Sequence, residues 1–212
     1  MIELWHCADT RSFRVLWVLE ELGLPYELHL LPFPPRVRAP EYLQVNPLGT
    51  IPAMRDGETF MTESAAIVQY LATRHEPNDL VVPVNDPAYG RWLNWLHFGE
   101  ATLTFPQTLV LRYRQLEPGR AEHVADDYAR WFMSRLRNVD RALQSNAWLC
   151  AGRFTAADIS VGYALLLADH LKLSERFTPS VADYWSRVSA RPAFRAAKRV
   201  QIGTMATELA SM

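Results

Sequence analysis

Apolar and polar positions change their period several times along the first third of the chain. Ile2-Glu3-Leu4-Trp5-His6 alternates weakly, as a short strand does. Between Phe13 and Leu22 the apolar residues Phe13, Leu16, Trp17, Val18, Leu19 and Leu22 follow helical spacing and spread beyond one stripe. That predicts a helix buried over much of its circumference. Gly23 is a good stop for it, Pro25 closes the loop, and residues 26–31 read as a second strand. Strand, helix and strand at this spacing make a βαβ unit with parallel strands. Residues 39–45 predict a short helix. Residues 51–55 and 58–61 predict a hairpin about Asp56-Gly57, the favoured type I′ pair. Thr62 then caps a helix reaching His75, so the order is βαβαββα.

The pattern changes after residue 76. Pro77, Asn78, Asp79, Pro83, Asn85, Asp86 and Pro87 crowd around the short apolar patch Leu80-Val81-Val82, which places a linker at 77–87. Beyond it strand signals stop. Helical periodicity covers 88–116, 121–144, 155–171 and 181–190, with a last helix from Pro192. Pro106 should kink or interrupt the first of these. The expected plan is an α/β domain at 1–76 and an all-helical domain at 88–212. At Phe154-Thr155-Ala156-Ala157-Asp158-Ile159, Thr155 stands as N-cap with Asp158 at N3, a capping box. Phe154 and Ile159 occupy the positions of a hydrophobic staple.

Composition narrows the function classes. Over 212 residues, 49% apolar and 21% charged is the balance of a soluble globular protein. Lys+Arg 22 against Asp+Glu 23 gives a net charge of −1, which argues against a nucleic-acid or anionic-membrane binder. No apolar run reaches membrane-spanning length, and the N-terminus lacks a basic-then-apolar leader. Cys7 and Cys150 form no CxxC and are expected to be reduced thiols in a cytoplasmic protein. His97 has no HxxxH or HExxH partner, so no metal is expected.

The stretch Asn46-Pro47-Leu48-Gly49-Thr50-Ile51-Pro52-Ala53 holds the candidate chemistry. Pro47 and Gly49 mark a turn, and Pro52 is embedded in an apparent strand. An edge proline in a trans bond satisfies that pattern, and so does a cis Ile51-Pro52 bond. The cis form would turn the backbone N–H and C=O of Ile51 outward, ready to pair with an extended peptide-like ligand. Thr62-Glu63-Ser64 opens the next helix, where free N–H groups and the dipole suit an anion. Simple capping is the alternative role.

These residues resemble the cytosolic glutathione transferase family. The likeness rests on Thr10-Arg11-Ser12-Phe13-Arg14, Leu19-Glu20-Glu21-Leu22-Gly23-Leu24-Pro25-Tyr26, Asn46 to Pro52 and Thr62-Glu63-Ser64-Ala65-Ala66-Ile67. Phe154 to Ile159 and Arg191-Pro192-Ala193-Phe194 extend it through the helical half. The style is that of the bacterial theta- and beta-like classes. The resemblance implies a thioredoxin-like N-terminal domain, an all-α C-terminal domain, a homodimer, and glutathione as co-substrate. With it, the cis form of Ile51-Pro52 becomes the favoured one. Ile51 and Pro52 would then bind the cysteinyl part of glutathione, and Glu63 and Ser64 the γ-glutamyl end. Arg36 is a candidate for the glycine carboxylate.

A free thiol ionises near pH ~8.5, and lowering that by about two units needs roughly 2.7 kcal/mol. A charge-assisted hydrogen bond at a helix start is of that size. Alignment on the family puts Thr10 where serine-type members carry their activating hydroxyl. Ser12 is a second candidate, and Arg11 can add positive field. Thr10 is also suited to N-capping. Bound glutathione thiolate would attack a hydrophobic electrophile resting near Trp5, His97, Phe105, Arg112 and Tyr113. A glutathione-dependent isomerase, dehalogenase or peroxidase would use the same thiolate. A glutathione-binding protein with little turnover is the alternative of another class. One expectation here is structural: Thr155→Ala should lower unfolding free energy by about 1 kcal/mol, and an unchanged thermal midpoint would remove the cap from the account.

Overall fold

The computed structural model describes the backbone of residues 1–211 and the side chains of 1–202. β1 (Ile2–His6) and β2 (Tyr26–Leu30) pair in parallel through α1 (Phe13–Leu22). Gly23 ends that helix at φ 61, and the Leu24 N–H donates to the Leu19 carbonyl at 3.1 Å. The chain then forms α2 (Pro35–Arg38) and a 3-10 turn at Pro40–Gln44. β3 (Ala53–Asp56) and β4 (Thr59–Met61) follow, then α3 (Ser64–Arg74). The sheet order is β2-β1-β3-β4, with β3 antiparallel to both of its neighbours.

Strand alternation sorts the core. Trp5 pairs with Ala53 across β1 and β3, and both pack with Ala39 and Tyr42 on one face. Leu4 and Met54, one residue along each strand, point to the other face and are fully buried. Trp5 was expected near an electrophile. It is instead 7% exposed in this core, its ring stacked on His29 at 4.8 Å.

Two local expectations are corrected. The hairpin turns on Gly57-Glu58 rather than Asp56-Gly57. Asp56 stays in β3, pairs with Thr59 and accepts a hydrogen bond from the Tyr70 hydroxyl at 2.9 Å. Only Gly57 of the turn pair has positive φ (58), the pattern of a type II′ turn rather than I′. The third helix starts at Ser64, with Glu63 as its extended N-cap residue (φ −86, ψ 110), and not at Thr62.

The chain divides into two compact units, 1–78 together with 190–212, and 79–189. Residues 190–212, expected with the helical domain, thus belong with the first unit. There α9 (Pro192–Ser211) packs along α1: Phe194 meets Phe13 and Trp17 edge-on at 5.2 and 5.0 Å. Arg191 adds a bidentate pair to Glu21 at 2.6 and 2.8 Å.

The second unit is helical. α4 (Tyr89–His97), α5 (Phe105–Leu111), α6 (Glu122–Leu143), α7 (Ala156–His170) and α8 (Pro179–Ser189) build it. Residues from 79 on, expected as linker, are packed into this unit. Leu80, Val81 and Val82 are buried, and the Leu80 carbonyl accepts from the Ala156 N–H at 2.9 Å and the Trp92 indole at 3.1 Å. α4 passes into α5 through wide π turns at Phe98–Thr104, just ahead of Pro106. Proline lacks a helical donor and crowds the preceding turn, so the ladder widens where it is approached. Gly99 lies in that segment because a Cβ there would fall 2.4 Å from the Ser160 hydroxyl.

The capping box at α7 is present. Asp158 is enclosed and accepts from the Thr155 N–H at 2.8 Å, the Leu149 N–H at 3.2 Å and the Tyr184 hydroxyl at 2.9 Å. Burial pushes its carboxyl up to about 6 against those donors. No helix among the described residues is long and apolar enough to cross a membrane. Tyr184→Phe keeps the ring and removes one donor to a buried acid, so it should cost about 1.5–3 kcal/mol in urea unfolding near neutral pH. A midpoint equal to wild type would show that the bond carries no net stability.

Candidate active site

Because β3 runs antiparallel to β1, the residues entering β3 and those leaving β1 lie at the same end of the sheet. This brings Ile51-Pro52 level with the turn Cys7 to Thr10 that leads into α1. The N-terminus of α3 joins them, since the Arg14 guanidinium of α1 donates to the Ser64 hydroxyl at 3.2 Å.

The Ile51-Pro52 bond is cis. The loop before it is held by side chains: Asn46 Nδ2 and the Tyr42 hydroxyl donate to the Thr50 carbonyl at 2.9 and 2.7 Å. Asn46 Oδ1 accepts from the Leu48 N–H at 3.2 Å, and the Gly49 N–H reaches the Asn46 carbonyl at 2.8 Å. Gly49 has φ 60, and a Cβ there would fall 2.7 Å from the Arg36 Cβ. Glycine therefore allows this turn to lie against α2, which carries Arg36. Ile51 is half-buried, Pro52 is buried, and the Ile51 backbone has no hydrogen-bond partner among the described residues.

Glu63 is exposed and Ser64 buried at the first turn of α3. Beneath them lies Arg14, wholly buried. A buried guanidinium next to a helix N-terminus reinforces an anion site. Sequence reading missed Arg14, because an arginine at the second position of an apolar helix carries no local sign of its burial. Arg36 is exposed on α2, and Arg11 is half-buried before α1.

The two hydroxyl candidates fare differently. The Thr10 hydroxyl is half-buried and donates to the Cys7 carbonyl at 2.8 Å, so it does not cap α1 through its side chain. It also lies 2.9 Å from the Ser12 hydroxyl. Ser12 is wholly buried: its oxygen is 2.7 Å from His6 Nδ1 and accepts from the Cys7 N–H at 3.3 Å. Ser12 therefore does not face a ligand, and the expectation that it touches the thiol is corrected by this enclosure. Burial pushes the Cys7 thiol up to about 12, which keeps it neutral.

His6 is enclosed as well, and burial pushes its imidazole down to about 4. Its Nε2 lies 3.0 Å from Gln201 Oε1 on α9. Gln201 Nε2 donates to Asp9 at 2.7 Å, and Lys198 Nζ reaches both Asp9 oxygens at 2.7 Å. Asp9 holds φ 55, a backbone region that few side chains adopt. Nothing in the sequence links His6 to Gln201 across 195 positions.

The remaining candidates lie in the helical unit. His97 is exposed and lines a groove of about 460 Å3 with Leu93, Asn94, Phe98 and Ala101. Phe105, Arg112 and Tyr113 are not in that lining. Phe105, 53% exposed, meets Tyr128 edge-on at 6.4 Å. Arg112 pairs with Glu117 at 2.8 Å and lies over the Tyr113 ring. Glu3, Glu27 and His29 bring ligand atoms within 4.8 Å of one another on the sheet. There Arg55 already meets Glu3 at 3.4 Å, so the group has a cation of its own.

Residues 10–74 match the family model described as glutathione S-transferase, N-terminal domain. Glutathione S-transferase GstA of Escherichia coli O157:H7 is 31% identical over 72% of this chain and 74% of its own length. A glutathione transferase of Methylococcus capsulatus superposes with TM-score 0.84 at 27% identity, covering 95% of this chain and 98% of that one. A Phanerochaete chrysosporium glutathione transferase, solved in complex with oxidized glutathione, does so at TM-score 0.83 and 27% identity, over 95% and 96%. Sequence relatives, solved neighbours and the thioredoxin-like first unit agree, and the chain belongs to the glutathione S-transferase family.

Proposed function

We propose that the protein binds glutathione at the sheet end described above and activates its thiol at Thr10 for attack on a hydrophobic electrophile. The observation that carries this reading is the convergence there of three complementary groups. These are the open backbone of Ile51, the N-terminus of α3 over buried Arg14, and the half-buried Thr10 hydroxyl. Glutathione offers an extended backbone, a carboxylate with an ammonium, and a thiol, in that correspondence. A relative that is 27% identical was solved with oxidized glutathione, which supports the assignment.

Ile51 would pair with the cysteinyl backbone as an added strand. Ser64 and the first N–H groups of α3 would receive the γ-glutamyl carboxylate, with Arg14 beneath them, and Glu63 the ammonium. Arg36, held beside the Gly49 turn, would meet the glycine carboxylate, and Arg11 would add positive field. Homodimer formation and a cytoplasmic setting belong to the same proposal and rest on family membership. A monomeric mass in solution would remove the first.

The inward bond from Thr10 to Cys7 favours one other reading, a glutathione-binding protein with little turnover. Turnover with an aryl halide separates the two. Thr10→Ala should lower kcat by up to about 100-fold, the size of a two-unit loss in thiol acidity, while Thr10→Ser keeps most of it. Equal rates for wild type and Thr10→Ala would place activation elsewhere. For binding, Glu63→Ala should weaken glutathione affinity by about 1–3 kcal/mol in calorimetry, and unchanged affinity would take Glu63 out of the site.

A further inference from the structure

The turn that delivers Thr10 holds a backbone conformation that its residues do not favour on their own. Cys7 to Thr10 close a turn, with the Thr10 N–H donating to the Cys7 carbonyl at 3.2 Å. The Thr10 carbonyl accepts from the Phe13 N–H at 2.8 Å as α1 begins, so both ends of the Thr10 backbone are committed. The joint before it is Asp9, at φ 55 in the left-handed region, where glycine or asparagine is the usual occupant of a turn. An aspartate persists there when its surroundings hold it.

The hold comes from α9. Phe194, Lys198 and Gln201 follow one another at helical spacing and share a face, and Phe194 seats that face on α1. Lys198 Nζ reaches both Asp9 carboxylate oxygens at 2.7 Å. Gln201, buried, grips Asp9 twice. Its Nε2 donates to the carboxylate at 2.7 Å, and its Oε1 accepts from the Asp9 N–H at 3.3 Å. The same oxygen lies 3.0 Å from His6 Nε2 at the end of β1, which ties the amide to the sheet.

We infer that Asp9 is a positioning residue for Thr10, and that Lys198 and Gln201 hold it in the conformation that aims the Thr10 hydroxyl. The inference rests on the activation of a glutathione thiol at Thr10 proposed above. The hydroxyl proton rests on the Cys7 carbonyl, 2.8 Å away. To serve a thiolate the hydroxyl turns outward about its Cα–Cβ bond. A thiolate is charged and so the stronger acceptor, and the Cys7 carbonyl keeps the Thr10 N–H as a partner. A β-branched side chain has few staggered positions to turn to. The direction its hydroxyl reaches is therefore set by the backbone that carries it, and Asp9 sets that backbone. Asp9 acts through Thr10 alone.

Position and charge predict opposite results. Asp9→Ala removes an anion and uncovers the Lys198 cation, so by charge alone bound thiolate would form at lower pH. Loss of position moves its formation to higher pH. Asp9→Asn removes the same charge but keeps an acceptor for Gln201 and tolerates the left-handed conformation. The experiment titrates the thiolate of bound glutathione by its ultraviolet absorbance in the full-length protein and in these variants, at a temperature where each is folded. Asp9→Ala should raise the pH of ionisation by about one unit and lower kcat about 10-fold at neutral pH, with KM for glutathione little changed. Asp9→Asn should stay close to wild type. In a Thr10→Ala background, Asp9→Ala should cost nothing further. Ionisation unchanged or at lower pH in Asp9→Ala would overturn the positioning role and leave that of Thr10 standing. So would an Asp9→Asn variant as impaired as Asp9→Ala, or a further loss in the Thr10→Ala background. Wild-type protein in which glutathione ionises as it does free in solution would overturn both.

Discussion

The antiparallel pairing of β3 with β1 is the constraint on which the site depends. Trp5 opposite Ala53 fixes the register, and a one-residue slip would turn the core faces of both strands outward. With that register set, the chain entering β3 meets the chain leaving β1. The Thr50 carbonyl, held by Tyr42 and Asn46, then delivers Ile51 to the same end of the sheet as Thr10. The Ile51 backbone and the Thr10 hydroxyl, the proposed binding and activating groups, are thus placed by backbone pairing, and side chains only refine them.

A second tie comes from the far end of the sequence. Phe194 seats α9 on Phe13 and Trp17, and Arg191 locks onto Glu21. These contacts bring Lys198 and Gln201 onto the loop at Asp9 and against His6. Packing on α1 and the seating of Asp9 and His6 are therefore one arrangement. Three hydrogen bonds from Gln201 and the ion pair of Lys198 thus tie α9 to Asp9 and His6.

The fold was legible because its signals are local. Periodicity gave the βαβ unit, Gly23 the end of α1, and Thr155 with Asp158 the start of α7. The errors were local as well. Asp56-Gly57 looked like the turn pair, but Asp56 is kept in β3 by Tyr70. Leu80 to Val82 looked like linker because prolines surround them, yet their apolar side chains are buried. The site was half legible. Ile51-Pro52 and Glu63-Ser64 lie in short recognisable runs. Ser12 is adjacent to Thr10 in composition but not in exposure, and Arg14, His6 and Gln201 gain their meaning from contacts 50 to 195 positions away. No pattern along the chain encodes such pairs.

The central claim is that this protein ionises the thiol of glutathione, and the most direct measurement is the ultraviolet absorbance of bound thiolate in the wild type from about pH 5 to about pH 9. The account predicts thiolate at neutral pH and below, about two units under the ~8.5 typical of a free thiol. Bound glutathione that ionises at the same pH as free glutathione would contradict it.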